Sequence, residues 1–243
     1  MRVLSFSKRC MKEVYRDPLN VLFGLGFPLI LLLLMTLLQR KVSVELFRME
    51  RLAPGMCVFG LSFLTLFSAT LVAKDRESAF LQRLYTTPLR AWEFLLGYSL
   101  PFFPLALAQA GICYGVAVAL GLPWGMGIFR GLAALLPLAL FYIALGLLCG
   151  SVLGVKQVGG ICGALLTNVS AWLSGLWFDL ELMGETFGKL ARLLPFYHGF
   201  ALESSALAGD GSGIFHHMLP VLLYAVATAV VAVLLFLRQM RKQ

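Results

Sequence analysis

The histidines, the cysteines and one serine are the side chains with the types to carry chemistry. His198, His216 and His217 could ligate a metal, but no cysteine or acid stands beside them at ligand spacing. Cys10, Cys57, Cys113, Cys149 and Cys162 contain no Cys-x-x-Cys pair, and four of them lie inside apolar runs. That pattern suits neither a zinc site nor a disulfide framework; it suits small apolar packing residues. Ser174-Gly175 with His198 has the outline of an intramembrane serine protease, yet Trp172 stands two residues before the serine, where a nucleophile turn needs glycine. Neither a Gly-x-x-x-x-Gly-Lys-[Ser/Thr] phosphate loop nor a His-Glu-x-x-His helix occurs. Metal and catalytic sites are therefore not expected, and a membrane enzyme stays only as an alternative. What remains is polarity within apolar runs: Asn168, Ser170 and Ser174, with Gln109 and Thr167. The first three either face a solute path or form hydrogen bonds between helices.

The elements that carry these residues are set by composition. Of 243 residues, 60% are hydrophobic and 13% charged, with mean hydropathy +0.87. A soluble domain carries about a quarter charged residues, so lipid is the main solvent here. The net charge of +8 does not indicate nucleic acid, because Lys and Arg are confined to short gaps between apolar runs, where they face lipid headgroups.

A helix needs about 20 residues to cross ~30 Å of hydrocarbon. Runs free of Asp, Glu, Lys and Arg predict six spans, at about 19–38, 53–73, 95–120, 131–154, 158–178 and 218–237. They are apolar on all sides and too long for barrel strands, so helices are predicted. The first span is not a cleaved signal, since Gln39-Arg40-Lys41 follows it where small residues would be needed. With the N-terminus inside, thirteen of the twenty Lys and Arg fall in inner segments and seven in outer ones, which places both termini in the cytoplasm. No Asp, Glu, Lys or Arg is firmly embedded in a span, so proton or ion relays within the spans are not expected.

Three segments outside the spans have their own periodicity. In the first, Arg2, Ser5, Arg9, Lys12 and Arg16 recur at three- and four-residue steps, opposite Val3, Leu4, Met11, Val14 and Tyr15, as in an amphipathic helix lying in the headgroup plane. In Lys74–Trp92, Phe80, Leu81, Leu84 and Tyr85 form an apolar stripe. Thr87-Pro88 ends that helix and starts another that runs into the third span. In Asp179–His217, Glu181, Glu185, Lys189 and Arg192 share one face, Glu185 and Lys189 are spaced as an ion pair, and Pro195 breaks the run before a second short helix at Phe196–Ala208. Within the spans, Gly146, Gly150 and Gly154 repeat every fourth residue and predict close helix packing, as do Gly111 with Gly115 and Gly159, Gly160 and Gly163. Pro101 and Pro104 predict a kink in the third span.

This order of elements resembles the type-2 ABC transporter permeases, six-span membrane subunits that pair with a separate ATPase. The resemblance rests on the basic N-terminal helix leading to Arg16-Asp17-Pro18, on Lys74-Asp75-Arg76-Glu77 through Leu84-Tyr85-Thr86-Thr87-Pro88-Leu89, and on Leu194-Pro195-Phe196-Tyr197-His198 before the last span. Many members carry Gly where Ser78 stands. The resemblance implies an all-α integral membrane protein with an N-terminal interfacial helix, a cytoplasmic coupling helix and short extracytoplasmic helices before the last span. It implies that Glu77, Phe80, Leu81, Leu84, Thr87 and Pro88 couple to an ABC ATPase subunit. ATP and Mg would bind in that partner, with no cofactor in this chain. It further implies a second permease copy, identical or related, an export role and the plasma membrane of a prokaryote. A non-transporting membrane partner, such as an assembly or sensor subunit, is the alternative of the same topology.

Overall fold

The computed structural model describes residues 2–18, 22–42, 47–78 and 91–240, and among them it is helical with no strand. In chain order the helices are α1 (Arg2–Arg16), α2 (Leu22–Lys41), α3 (Met49–Glu77), α4 (Ala91–Ser99), α5 (Phe102–Ala119), α6 (Met126–Val152), α7 (155–174), α8 (Glu185–Leu193), α9 (Pro195–Ala208) and α10 (Gly211–Met240). A 3₁₀ turn at Leu180–Met183 precedes α8. Among the described residues, five stretches are long and apolar enough to cross a membrane: α2, α3, α4 continued by α5, α6, and α10 as far as Arg238.

The helix at 155–174 follows the predicted fifth span but departs from it. It is α-helical at Val155–Val158, π-helical over Gly159–Leu166 and α-helical again over Thr167–Ser174. Thr167 Oγ1 donates to the Cys162 carbonyl at 3.0 Å, five residues back, at the end of the wider turn. The helix stops at Ser174, short of the predicted 178, because Gly175 takes a left-handed conformation (φ +79°) that a side chain would oppose. The last helix begins at Gly211, seven residues before the predicted start, so His216 and His217 are helical. Pro101 divides the predicted third span into α4 and α5 at a turn over Leu100 and Pro101, since proline has no N–H for the ladder.

Helix α3 is the axis of the bundle. Of its most apolar stretch 89% is buried, against 17% for α2 and 22% for α10, so the outer faces of those two are left to lipid or to another chain. Helix α6 crosses α3 at its glycines. A Cβ at Gly146 would meet Ser68 Oγ and, at 2.5 Å, the Thr65 carbonyl; one at Gly150 would lie 2.5 Å from the Ala69 carbonyl. Thr65 Oγ1 donates to the Tyr142 carbonyl at 2.8 Å across the same contact. Without a hydrophobic force between helices in lipid, such backbone approach and interhelical bonding hold the pair together.

The glycine periodicity is used unevenly. Gly154 lies beyond the end of α6 and precedes α7, so it is not part of the crossing. Gly111, Gly115, Gly159 and Gly160 face open space, while Gly163 sits against Leu66. Two glycines at the other end of α6 do receive a neighbour: Gly127 meets the Leu207 backbone and Gly131 meets Tyr114 and Glu203, which brings α9 against α6.

Candidate coupling site

Four consecutive residues close α3, and each reaches a different part of the chain. Successive helical residues point ~100° apart, so Lys74, Asp75, Arg76 and Glu77 together sweep the circumference of the helix end. Lys74 Nζ lies 3.7 Å from Asp17 Oδ2, just after α1. Asp75 accepts both guanidinium nitrogens of Arg9 on α1, the Nη2–Oδ1 contact being 2.7 Å, and the Tyr98 hydroxyl of α4 at 2.8 Å. Arg76 donates to the carbonyls of Ser151 and, at 2.6 Å, Leu153 at the end of α6. Glu77 Oε1 accepts the N–H of Val155 at 2.9 Å at the start of α7.

Each contact satisfies groups that would otherwise be orphaned. The last carbonyls of α6 and the first N–H groups of α7 have no partner within their own helices. A cation meets the first set and a carboxylate the second, the signs that the helix dipoles favour. Asp75 is only 2% exposed, and three donors balance the cost of burying its charge. Arg9 also pairs with Glu13 at 2.8 Å, one turn on. The aromatic edges of Phe6 on α1 meet Tyr98 and Phe94, at 4.8 and 6.1 Å between ring centres, so α1 grips α4 as well as α3.

Of the residues expected to couple to an ATPase, Glu77 stands in this junction. Phe80, Leu81, Leu84, Thr87 and Pro88 lie outside the described residues, as do the predicted helix end near Thr86 and restart at Pro88. The stretch that holds them is bounded by α3 and α4, both tied to α1.

Helix α1 has three faces rather than the two expected. Phe6, Ser7, Cys10 and Val14 are buried against the bundle. Leu4 and Tyr15 are exposed, with Met11 half-buried between them, and Lys8, Lys12 and Arg16 are exposed on the next face. The sequence pattern had grouped Val14 with Leu4 and Tyr15. The bundle divides them because it covers only part of the apolar side. The Arg2 side chain lies outside the described residues.

The three polar residues of α7 do not gather on one surface. Asn168 is exposed and folds back onto the Ala164 carbonyl at 2.8 Å. Ser170 is buried and bonds the Tyr142 hydroxyl of α6 at 2.6 Å. Ser174 is buried, donates to the Ala171 carbonyl at 2.8 Å and accepts the Leu176 N–H at 3.2 Å, closing its own helix.

The opposite end of the bundle holds a second polar set. Arg51 donates to the Gly175 carbonyl at 2.7 Å and to Asp179 Oδ1 at 2.9 Å, in a cavity of about 360 Å³ that also includes Glu181 and Arg192. Glu185 and Lys189 pair at 2.6 Å, and Arg192 reaches Glu181 at 3.2 Å. His198 on α9 and His217 on α10 face each other Nδ1 to Nδ1 at 3.0 Å, where one must donate and the other accept. Among the described residues no group of three or more His, Cys, Asp or Glu is placed to hold a metal.

One acid was missed by reading the spans alone. Glu203 on α9 is fully buried, accepts the Tyr114 hydroxyl of α5 at 2.6 Å through Oε1, and among the described residues has no partner for Oε2. Burial raises its pKa to about 8, against the lowering effect of the tyrosine bond, so it is largely protonated near neutrality. The bundle thus embeds a carboxyl after all, on a helix outside the predicted spans. The signal was present: Glu203 is the one charged residue in Pro195–Ala208.

A comparison with curated proteins finds no match. Residues 1–206, from α1 through most of α9, match the ABC-2 type transporter family. The match takes in the junction at the end of α3 and the undescribed stretch after it. The chain belongs to the ABC-2 type transporter family and is a membrane-embedded permease subunit of an ABC transporter.

Proposed function

We propose that this permease exports its cargo, working as a dimer with a second permease copy and energised by a separate ABC ATPase that binds ATP and Mg²⁺. The observation that carries this reading is the four-way attachment of Lys74–Glu77. A thrust received by residues 77–88 reaches α1, α4, α6 and α7 together, because the end of α3 is bonded to each or to its flank. Packed helices tied in this way move as bodies between discrete arrangements. In this reading Glu77, Phe80, Leu81, Leu84, Thr87 and Pro88 take the contact with the ATPase.

The helix at 155–174 serves as the sixth membrane-crossing element, since a helix rising ~1.5 Å per residue over that stretch approaches the ~30 Å of hydrocarbon. Both termini and the junction then lie on the cytoplasmic side of a prokaryotic plasma membrane, with α1 at its interface, and α8 and α9 lie on the far side. The unburied faces of α2 and α10 are left for lipid and the second copy. In this reading Asn168 meets the solute, its exposure on α7 supporting that role over Ser170 and Ser174, which are buried.

The test is co-purification of the tagged chain with an ATPase, followed by ATP hydrolysis and transport in vesicles. Leu84→Pro is expected to abolish both stimulated hydrolysis and transport while the protein still inserts. Normal transport by Leu84→Pro, or labelling of residues 75–90 from outside the cell, overturns the reading. A chain that inserts, binds no ATPase and moves no solute is instead a non-transporting partner.

A further inference from the structure

We propose that the groove between α1 and the end of α3 binds the phosphate of an anionic phospholipid. The groove has a volume of about 780 Å³ and is lined by five cations, Lys8, Arg9, Lys12, Arg16 and Lys74, and by Glu13 and Asp17. The carboxylates are taken: Glu13 by Arg9, Asp17 by Lys74, and Asp75 beneath them by Arg9. Lys8, Lys12 and Arg16 form no ion pair among the described residues, so the groove keeps an excess of positive charge on one wall.

The face next to that wall selects a lipid over other anions. At ~100° per residue, Leu4, Met11 and Tyr15 form a stripe beside Lys8, Lys12 and Arg16. Leu4 is 69% and Tyr15 44% exposed, although α1 buries its third face on α3 and α4. Free phosphate would engage the cations and leave this apolar stripe in water. A phospholipid covers both, with a chain along Leu4 and Tyr15 and its phosphate on the basic wall. Lys74 joins the site to the junction directly, being the residue before Asp75, so an occupied groove holds α1 against the end of α3.

This site rests on the reading that α1 lies at the bilayer interface, and the two are separable. Native mass spectrometry of the purified full chain compares retention of phosphatidylglycerol, phosphatidylcholine and inorganic phosphate. The wild type is expected to hold phosphatidylglycerol on the order of ten-fold more tightly than phosphatidylcholine. The variant Lys8→Gln/Lys12→Gln/Arg16→Gln, whose changed residues carry no observed ion pair, is expected to lose that preference with its helical content unchanged. Equal retention of the two lipids, an unchanged preference in the variant, or inorganic phosphate competing as well as the lipid, overturns the proposal. So does protection of the three cations by a bound ATPase instead of by lipid. Separately, Leu4→Trp in vesicles containing brominated phosphatidylcholine is expected to show more quenching than wild type. Without that extra quenching the interfacial reading itself fails; with it, but without lipid preference, the phosphate site alone fails.

Discussion

Arg9 and Asp75, 66 residues apart in the chain, meet as a two-pronged ion pair whose acid is buried and whose second partner is Tyr98. The pair fastens an N-terminal helix to the end of the most buried span, immediately before the stretch expected to face an ATPase. Removing one member leaves a charge in a site that water barely reaches. Arg9→Ala is expected to destabilise the protein by about 2 kcal/mol, less than for a fully buried pair because Arg9 is one-third exposed. Arg9→Met with Asp75→Leu is expected to recover most of that loss. Thermal unfolding of the two singles and the double, run as a cycle in detergent, checks this; additive losses would show that the pair does not couple α1 to α3.

Glu77 makes a narrower prediction. Its carboxylate accepts the Val155 N–H and so links α3 to the start of α7. Glu77→Ala is expected to leave insertion and thermal stability nearly unchanged, within about 1 kcal/mol, while lowering the ATP hydrolysis that transport stimulates. Glu77→Gln keeps an acceptor oxygen and is expected to retain most of it. An alanine variant with full stimulation and transport removes Glu77 from the coupling route.

The glycines divide into two classes by what surrounds them. Gly146→Leu and Gly150→Leu drive a side chain into the α3 backbone and are expected to cost about 1–3 kcal/mol each, or to prevent folding. Gly111→Leu and Gly115→Leu enter open space and are expected to leave the protomer folded. Yield of monodisperse protein and its melting temperature separate the two classes; equal damage at all four positions would contradict the packing described.

Glu203 sets a pH dependence. The fold raises its pKa from 4.5 to about 8, so the folded chain keeps a proton that the unfolded chain has lost. The folded state therefore loses stability as pH rises through that window, and regains it as pH falls. Glu203→Gln has no proton to lose. Its stability relative to wild type is expected to be near zero at about pH 4.5 and to grow to roughly 3 kcal/mol at pH 7. Tyr114→Phe, which removes the donor, is expected to cost about 1 kcal/mol. Melting curves from pH 5 to 8 check both; a constant difference between Glu203→Gln and wild type would mean that the carboxyl is ionised in the fold.

The all-helical, membrane-spanning character and the family could be read from residue types and spacing. A bilayer imposes one length and one polarity on whatever crosses it, so a run such as the one predicted at 131–154 declares itself, and most of it lies in the helix Met126–Val152. Pro101, Pro195 and the Glu185–Lys189 pair were legible for the same reason, since each acts within a turn or two of its own helix. What only the tertiary structure decided are relations between distant residues. Spacing alone could not show that Arg9 reaches Asp75, that Gly146 is used and Gly111 is not, that Ser170 bonds a neighbour while Asn168 stays exposed, or that Glu203 is enclosed. Each depends on which faces of equally apolar helices meet. In lipid that choice comes from close backbone contact and paired polar groups, and hydropathy along a single chain does not encode it.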